Sequence, residues 1–503
     1  MSLSPLQFLF PTSPVEMSIF PIYPRRTHKF ACFLLLVSGL CLFSLFIPPH
    51  SISPVISLRS TAPYTLRNAS IPTTIQHIVF GIAASAKSWP TRSTYIRLWY
   101  KSNPSSIRAY VFLDRFPPNT TAYTVPGNAY DSGDLPPLRI SEDTSRFPYT
   151  YPRGLRSAIR VARIVSEIAA MDLPDVRWIV LGDDDTVFFP ENLVATLSKY
   201  GWEDWYYVGG ISESVEQNVK HSFQMAFGGG GFAVSYPLAK VLARVLDSCL
   251  FRYAHLYGSD ARIFSCLAEL GVGLTRESGF HQVDVRGNLF GMLSAHPLTP
   301  LVSLHHLDYT DPIFPNMTRL QALEHLFEAV KIDPGRILQQ TVCYDHLNLR
   351  TISISWGYAV QVYEGNILLP DLLSLQQTFM PWKRIRNISL SWYMFKTRES
   401  PRDPCKRPAI YFLESVLADN HGIQSNYMRH ASGNCQLTKL SANNLEHIKV
   451  FSPKLDLDTK QVDNSDLRIG FFSFHWQGDS KKQHGWAQPH KNLERQEMLT
   501  ARK

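Results

Sequence analysis

The sequence predicts an α/β protein with a mostly parallel central sheet. Short apolar runs alternate with segments whose apolar residues recur at helical spacing, a pattern typical of sheets covered by helices on both faces. The clearest strand candidate, "RWIVLGD" at 177–183, ends in the first of three consecutive aspartates. The chain has 503 residues, of which 45% are hydrophobic and 18% are charged. This is the composition of a globular protein with room for more than one core.

The predicted elements begin near residue 76. Strands are predicted at "HIVFGIA" (77–83), "RAYVFLD" (108–114), 177–183 and "YYVGG" (206–210), and helices at 154–170, after Pro190, near 236–247 and at 259–270. Beyond about residue 345 the pattern changes, and "TISISWGYAVQVYEGNILL" (351–369) predicts paired strands with a hairpin turn around Glu364-Gly365. We therefore expect an α/β domain at 76–345 and a smaller β-rich region at 346–475.

The N-terminal sequence has the pattern of a membrane anchor. Residues 30–47, "FACFLLLVSGLCLFSLFI", carry no charge and are about long enough to cross a bilayer as a helix. Three basic residues precede this run and no Lys or Arg follows until Arg59, which predicts a cytosolic N-terminus. We expect a cytosolic tail at 1–29, a signal anchor at 30–47 and a Ser/Thr/Pro-rich stem at 48–75. A cleaved signal peptide is the alternative, but the run is long for one and "IPPHSISP" is a poor cleavage site.

Several features beyond the anchor are compatible with an oxidising lumen. Sequons for N-glycosylation begin at Asn68, Asn119, Asn316 and Asn387. Five of the seven cysteines lie there, an odd number that leaves at least one thiol free or intermolecular. The net charge of +8 is scattered, and the sequence has no nucleic-acid-binding motif, which disfavours that class of partner. Residues 476–503 are polar and basic and are expected to be a disordered tail. The oligomeric state cannot be read from this sequence.

The aspartates at 183–185 need an explanation because stability does not supply one. Clustered carboxylates raise each other's pKa and are costly to desolvate. Residues two apart on a strand point to the same side, so Asp183 and Asp185 can project together at the carboxyl end of the strand, where open α/β sheets bind ligands. Two carboxylates there suit Mg²⁺ or Mn²⁺, and Asp184 would face the other way. A solvated turn before Pro190 is the alternative.

Three further motifs could complete such a site. The glycines of "FGGGGFAVSY", among them Gly229 and Gly230, would let backbone approach a ligand closely, or they form a flexible turn. Asp260 lies at the start of a predicted helix, either as a carboxylate favoured by the helix dipole or as a positioned general base. The adjacent His305 and His306 follow an apolar run, and one of them could be a third metal ligand or a hydrogen-bonded core histidine.

In their order along the chain, these motifs resemble the fringe and β-1,3-galactosyltransferase group of Golgi glycosyltransferases. The resemblance is closest to the plant fringe-related branch, known as a domain of unknown function. It is carried by "DTSRFPYTYPRGLRSAIRVARIVSE" (143–167), "RWIVLGDDDTVFFPENLVATLSKY" (177–200), "GGGGFAVSYPLAKVL" (228–242), "LYGSDARIFSCLAELGVGLTRESGFHQVD" (256–284) and "HPLTPLVSLHHLDYTDPIFP" (296–315). These segments cover most of residues 76–330.

The resemblance implies a GT-A fold, a UDP-sugar donor, Mn²⁺ and an inverting mechanism. It also implies a single-pass type II protein of the Golgi membrane with its catalytic domain in the lumen. Such a protein transfers a hexose or N-acetylhexosamine to a hydroxyl of a glycan acceptor, with a β-1,3 linkage expected. Position by position, Asp185 matches the principal metal ligand, with Asp183 and Asp184 helping to hold the donor. His306, or else His305, matches the C-terminal metal ligand.

The remaining matches concern the base, the nucleotide and the disulfides. Asp260 matches the catalytic base, and Asp114 matches the position that reaches the nucleotide. Relatives often carry a second aspartate where this sequence has Ala261, so activity would suffer if that neighbour were the base. The family pattern implies the disulfides Cys249–Cys266 and Cys405–Cys435, leaving Cys343 unpaired.

Two other classes of function remain open on the sequence. "DDDTV" also satisfies the D-x-D-x-[TV] pattern of haloacid-dehalogenase-type phosphohydrolases, but the acidic G-D-x-x-x-D motif of that class is missing after residue 190. A lumenal sugar-binding homologue that has lost catalysis is the other alternative, and Ala261 is the residue that favours it.

Overall fold

The computed structural model of the protein describes most of the chain between residues 72 and 455. The described residues are 72–100, 107–118, 135–296, 299–345, 349–383, 392–401, 403–420, 422–430, 445–455, 474–475 and 488–489. They belong to the compact unit Ile71–Lys503. The predicted cytosolic tail and signal anchor lie outside the described residues. Within the part of the chain that is described, no helix is both long and apolar enough to span a membrane.

Strands and helices alternate in the first part of the described chain, and strands dominate the rest. The strands are β1 (Ile78–Ala83), β2 (Arg108–Leu113), β3 (Leu138–Ile140), β4 (Trp178–Asp183), β5 (Val187–Phe188), β6 (Tyr207–Gly209), β7 (Phe232–Ser235), β8 (Leu274–Arg276), β9 (Phe280–His281), β10 (Val285–Gly287), β11 (Ser303–Leu304), β12 (Gln340–Asp345), β13 (Arg350–Ser355), β14 (Ala359–Glu364), β15 (Leu375–Gln376), β16 (Phe379–Pro381), β17 (Thr397–Arg398), β18 (Ala409–Asp419), β19 (Gly422–His430), β20 (His447–Ser452), β21 (Phe474–His475) and β22 (Gln488–Pro489). The helices are α1 (Trp89–Tyr100), α2 (Ser157–Ala170), α3 (Pro190–Leu197), α4 (Val215–Lys220), α5 (Tyr236–Arg252), α6 (Ser259–Glu269), α7 (Phe290–Leu293), α8 (Arg319–Ile332) and α9 (Leu369–Leu373).

The central sheet has seven strands in the order β3-β2-β1-β4-β7-β6-β8. β1 pairs in parallel with β2 and β4, whereas β7 runs antiparallel to β4 and β6. β2 also pairs in parallel with β3, and β6 with β8, so six of the seven strands run in one direction and β7 runs against them. The sheet is therefore mixed but mostly parallel, as the sequence predicted. The reversal has a local cause, because β7 leaves the glycine-rich turn at the carboxyl end of β4 and must run back through the sheet.

Alternate residues of the buried strands face two helical layers. Phe80 and Ile82 of β1 share one core cluster with residues of α1, α3 and α8, while Val79 packs in a second cluster with residues of α2, α5 and α6. Every residue of β1 is buried, as expected of a strand covered on both faces. The first cluster also contains Ile352 and Val360 from the second large sheet, so a continuous core joins the α/β part to the β-rich part.

The second large sheet has eight strands in the order β21-β20-β19-β18-β14-β13-β12-β22. β13 and β14 form the predicted strand pair, but the predicted turn position was wrong. The hairpin turns at residues 356–358, where Gly357 adopts a φ of +76°. Gly365 also has a positive φ, of +85°, but the chain beyond it enters α9, whose Pro370 cannot extend a strand ladder. Gly357 and Gly365 are both compatible with a hairpin turn, and the pairing of β13 with β14 places the turn at Gly357.

The cysteines follow the implied pattern as far as the described residues extend. A disulfide joins Cys249 of α5 to Cys266 of α6. Cys343 on β12 is a buried free thiol. Cys405 is disulfide-bonded, and Cys435 lies outside the described residues.

Candidate metal and ligand site

The acidic tip, residues 183–185, is a tight turn at the carboxyl end of β4. The Asp184 N–H donates to the carbonyl of Ala83 at 3.0 Å, which extends the pairing of β4 with β1 by one residue. The Thr186 hydroxyl accepts from the Asp183 N–H at 2.8 Å, and the Thr186 N–H donates to the Asp183 carbonyl at 3.0 Å. These bonds fix the backbone of the turn that carries the three aspartates.

Three of the predicted site residues converge in a metal-ligand arrangement. Asp183, Asp185 and His305 each offer one ligand atom, and these atoms lie within 4.8 Å of one another. The Nε2 of His305 lies 3.1 Å from Asp185 Oδ1 and 3.8 Å from Asp183 Oδ2. Asp185 and His305 are buried, while the Asp183 side chain is 41% exposed. The arrangement therefore has a closed inner side and an open outer side.

The second histidine of the pair points elsewhere. His306 adopts a left-handed backbone conformation with a φ of +56°. Its ring lies against that of His305, with centroids 3.8 Å apart, but its polar atoms have different partners. Its Nδ1 lies 3.2 Å from Asp284 Oδ1, and its ring stacks on Trp382 with centroids 4.2 Å apart and planes 13° apart. Of the two predicted alternatives, the structure brings His305 to the aspartates and not His306.

Asp184 is not part of the metal-ligand group. It shares with Asp185 a partner that sequence reasoning missed. Arg92 on α1 places Nη1 3.1 Å from Asp184 Oδ1 and Nη2 3.1 Å from Asp185 Oδ2. It also lies 3.0 Å from Asp308 Oδ2, and Ser88 donates a hydrogen bond to Asp184. A clue was available, since α1 follows the carboxyl end of β1, so its first turns lie at the same sheet edge as the acidic tip.

The glycine-rich turn supports the same arrangement from the other side. A side chain at Gly229 would place its Cβ 2.0 Å from Cε1 of His305, so only glycine fits there. The Gly229 carbonyl accepts the Thr186 hydroxyl hydrogen bond at 2.7 Å, and the Gly230 N–H donates to Gln282 Oε1 at 2.6 Å. The backbone of the glycine-rich turn therefore packs against the His305 imidazole and hydrogen-bonds the acidic tip through Thr186.

Asp260 lies in the first turn of α6 and faces the same turn. Its Oδ2 accepts from the Gly228 N–H at 3.3 Å, and its Oδ1 accepts from the Ala261 N–H at 2.9 Å. Burial raises the pKa of Asp260, although these N–H groups act in the opposite direction. A carboxylate with a raised pKa is a stronger base than one in open water, which suits proton abstraction.

A single cavity of about 630 Å³ connects these groups. Its lining includes Asp183, Asp185, Asp260, Gly229 and His305. Asp114 is not among the lining residues. Its carboxylate accepts a hydrogen bond from the Ala86 N–H at 2.8 Å, which helps to lower its pKa although burial would raise it. The predicted metal ligands and the predicted base thus line one cavity. Asp114, predicted to reach the nucleotide, is not among its lining residues.

The charges in the cavity shift pKa values in opposite directions. Burial would raise the pKa of Asp185, but the neighbouring His305 and Arg92 lower it to about 2. Desolvation on its inner side and the charges of Asp185 and Asp184 raise the pKa of Asp183, although His305 acts in the opposite direction. Burial would lower the pKa of His305, yet the charges of Asp185 and Asp183 raise it. Asp185 is therefore ionised at neutral pH, as a metal ligand must be.

The residues present fit a divalent cation. Neither carboxylate oxygen of Asp185 has a hydrogen-bond partner that meets normal geometry within the described residues, although both oxygens are buried. Buried oxygens of this kind normally have a partner. Two carboxylates and one imidazole are a donor set that Mn²⁺ accepts, and the open side toward Asp183 leaves room for ligand oxygens.

The fold and the site together define an α/β protein with a candidate metal-binding site at the carboxyl edge of its central sheet. Residues 217–468 match the family described as "Protein of unknown function, DUF604". This chain belongs to that family. A search of the curated proteins gave no match.

Among solved structures, the chain is similar to the galactosyltransferase LgtC in complex with donor and acceptor sugar analogs. The identity is 16% and the TM-score 0.32, over 49% of this chain and 94% of LgtC. An active-site mutant of LgtC gives 15% identity and a TM-score of 0.32 over the same shares. Similarity at this level does not define the activity of this chain.

Proposed function

We propose that the protein is a metal-dependent glycosyltransferase that transfers a hexose or N-acetylhexosamine from a UDP-sugar to a hydroxyl of a glycan or glycoconjugate. One observation carries the proposal: the ligand atoms of Asp183, Asp185 and His305 converge within 4.8 Å in the cavity that also contains Asp260. A cation-binding group beside a separate carboxylate suits transfer from a nucleotide diphosphate, because the cation can neutralise the leaving group and the carboxylate can accept a proton.

In this proposal Asp183, Asp185 and His305 hold the divalent ion. When bound, the ion neutralises the diphosphate of the donor and of the departing UDP. Asp260 accepts the proton of the acceptor hydroxyl. As that oxygen forms its bond to the anomeric carbon, the bond from that carbon to the diphosphate oxygen breaks, and UDP leaves with the electron pair. Attack from the face opposite the leaving group inverts the anomeric configuration.

Several finer parts of the proposal rest on the sequence resemblance. These are the GT-A fold, Mn²⁺ as the metal, the β-1,3 linkage, the Golgi location and the single-pass type II topology. The catalytic role of Asp260 belongs with them, because Ala261 stands where relatives often have a second aspartate. In the structure, the Ala261 N–H donates to Asp260. Since Ala261 has no carboxylate, Asp260 is the acidic residue of this helix turn that contacts Gly228.

The test is UDP release from a panel of UDP-sugars by the purified full-length protein, with Mn²⁺ or EDTA and with glycan acceptors present or absent. We expect metal-dependent release of UDP. Asp260→Asn should abolish transfer and retain Mn²⁺-dependent UDP binding, because it removes the base and leaves the metal ligands in place.

Each rival function has its own outcome in this test. Binding of UDP without turnover of any donor would favour a sugar-binding homologue that has lost catalysis. Release of inorganic phosphate from phosphate esters, with no release from UDP-sugars, would favour a phosphohydrolase. Equal loss of UDP binding and turnover in Asp260→Asn would show that Asp260 is structural.

A further inference from the structure

One wall of the cavity carries aromatic rings that the proposed chemistry does not use. We name Trp382, Tyr309 and His306 the aromatic shelf. The Trp382 ring stacks on His306, and Tyr309 meets the Trp382 ring edge-on with centroids 4.9 Å apart and planes 77° apart. Tyr309 is 52% exposed and Trp382 is half-buried, and both line the cavity. Large rings left open to a cavity are typical of ligand contacts.

A series of contacts leads from β1 through the metal ligands to the aromatic shelf. The acidic tip follows β4, whose Asp183 pairs with Ala83 of β1. Asp185 lies 3.1 Å from His305, the centroids of His305 and His306 are 3.8 Å apart, and His306 then stacks on Trp382. The metal-ligand group therefore stands between the β1 end of the cavity and the shelf.

The two ends of the cavity suit different parts of the reactants. The β1 end is lined by parallel strands and by α2, an arrangement in which α/β sheets hold nucleotides at the carboxyl ends of their strands. A donor with its nucleotide there and its diphosphate at the metal ligands turns the face of its anomeric carbon opposite the diphosphate toward the shelf, which is the side from which the acceptor hydroxyl attacks. Asp260 is at that side as well, since Gly228 and Gly229 of one turn contact Asp260 and His305 respectively.

Among the described residues that line the cavity, the two lysines near the shelf already have partners. Lys383 forms an ion pair with Glu216, and Lys220 lies over the Tyr257 ring, 5.2 Å from its centroid. Neither is a free partner for an anionic sugar. The exposed parts of the Tyr309 and Trp382 rings instead match the C–H groups of a neutral pyranose, which carry partial positive charge and are attracted to the negative face of an aromatic ring.

We infer that the aromatic shelf is the acceptor subsite and binds a neutral pyranose ring by stacking it on Trp382, with Tyr309 at the edge of the stacked sugar. This inference rests on the proposed function. It also gives the β-rich region a role at the site, because Trp382 directly follows β16. The pairing of β16 with β10, with Pro381 opposite Val285, sets Trp382 beside the strand that follows Asp284.

The test measures binding of neutral methyl pyranosides to the full-length protein held with UDP and Mn²⁺, by saturation-transfer NMR. The probes are the methyl β-glycosides of galactose, glucose, xylose and N-acetylglucosamine. The variants are Trp382→Ala, Trp382→Leu and Trp382→Phe. Trp205→Ala is the matched control, because Trp205 is 46% exposed and is not among the cavity-lining residues. Thermal melting of each variant verifies folding.

We expect at least one pyranoside to bind the wild type and Trp205→Ala equally. Trp382→Ala and Trp382→Leu should weaken that binding more than tenfold, and Trp382→Phe less than threefold, because a phenyl ring keeps the stacking face that leucine lacks. The affinity for UDP with Mn²⁺ should change less than twofold in all of them.

Three results would overturn the subsite: unchanged pyranoside affinity in a folded Trp382→Ala variant, a larger loss of UDP affinity than of pyranoside affinity, or no pyranoside bound by a wild type that does bind UDP with Mn²⁺. Failure of the wild type to bind UDP with Mn²⁺ would instead contradict the proposed function, so the two failures are distinguishable.

Discussion

At the scale of single residues, the backbone of His306 separates the roles of two adjacent histidines. Its left-handed conformation leaves His305 on the aspartates and sends His306 to Asp284 and Trp382. The sequence placed both imidazoles after an apolar run but could not choose between them, because the choice depends on partners far along the chain.

His305→Ala should therefore lower the affinity for Mn²⁺ at least tenfold, since losing even a residue that only supports a ligand commonly costs that much. His306→Ala should change the affinity less than threefold. Manganese EPR titration measures both. Equal losses in the two variants would contradict the assignment of His305 as the ligand.

A second residue-scale prediction concerns Glu167 on α2. Burial raises the pKa of Glu167 to about 7 from an ordinary value of 4.5. Between these values the folded protein keeps a proton that the unfolded chain has lost, so the free energy of unfolding should fall as pH rises from about 4.5 to 7.

Glu167→Gln should remove this part of the pH dependence and raise stability at pH 8 by about 1 kcal/mol after allowance for solvent screening. Urea unfolding at pH 5 and pH 8 measures it. Glu191→Gln on α3 is an exposed control. An identical pH slope in the wild type and Glu167→Gln would contradict the prediction.

At the scale of elements, α1 delivers the counter-charge of the acidic tip. Arg92 meets Asp184, Asp185 and Asp308, and Tyr95 from the next turn donates to Asp308 at 2.6 Å. Without a bound cation, the guanidinium of Arg92 acts together with His305 to offset the repulsion within the tip. A divalent ion would take over part of this role.

Arg92→Gln should lower stability without metal by about 2 kcal/mol, less than for a fully buried pair because the Arg92 side chain is 28% exposed. Mn²⁺ should then raise the melting temperature more in Arg92→Gln than in the wild type. Arg97→Gln, an exposed residue of the same helix, should behave like the wild type. A smaller Mn²⁺ stabilisation in Arg92→Gln would contradict this account.

The elements also show what a sequence can and cannot reveal. β1, β2, β4 and β6 lie within a residue or so of their predicted positions, because strands buried on both faces are continuous apolar runs. Helix α1 was missed, since "WPTRSTYIRLWY" mixes aromatic and β-branched residues and has no clear apolar stripe. The hairpin turn was misplaced because two nearby glycines both suit positive φ.

At the scale of the whole molecule, the site draws on residues far apart in the chain, from Arg92 to Trp382. Asp183, Asp185, Asp260 and His305 could be predicted from motifs that follow strands or begin a helix. Arg92 and Trp382 could not, because only the packing of α1 and the pairing of β16 with β10 bring them to the cavity. The continuous core that joins both large sheets is the reason the β-rich region can contribute to this site.

The central claim is that the acidic tip binds a divalent ion that in turn holds a nucleotide diphosphate. Calorimetric titration of UDP into the full-length protein, with Mn²⁺ and with EDTA, tests it most directly. We predict that UDP binds only with Mn²⁺, and that Asp185→Asn weakens this binding at least tenfold. Asp172→Asn, which removes a carboxylate 86% exposed on the surface, should not weaken it. UDP affinity that is independent of Mn²⁺, or unchanged in Asp185→Asn, would contradict the claim.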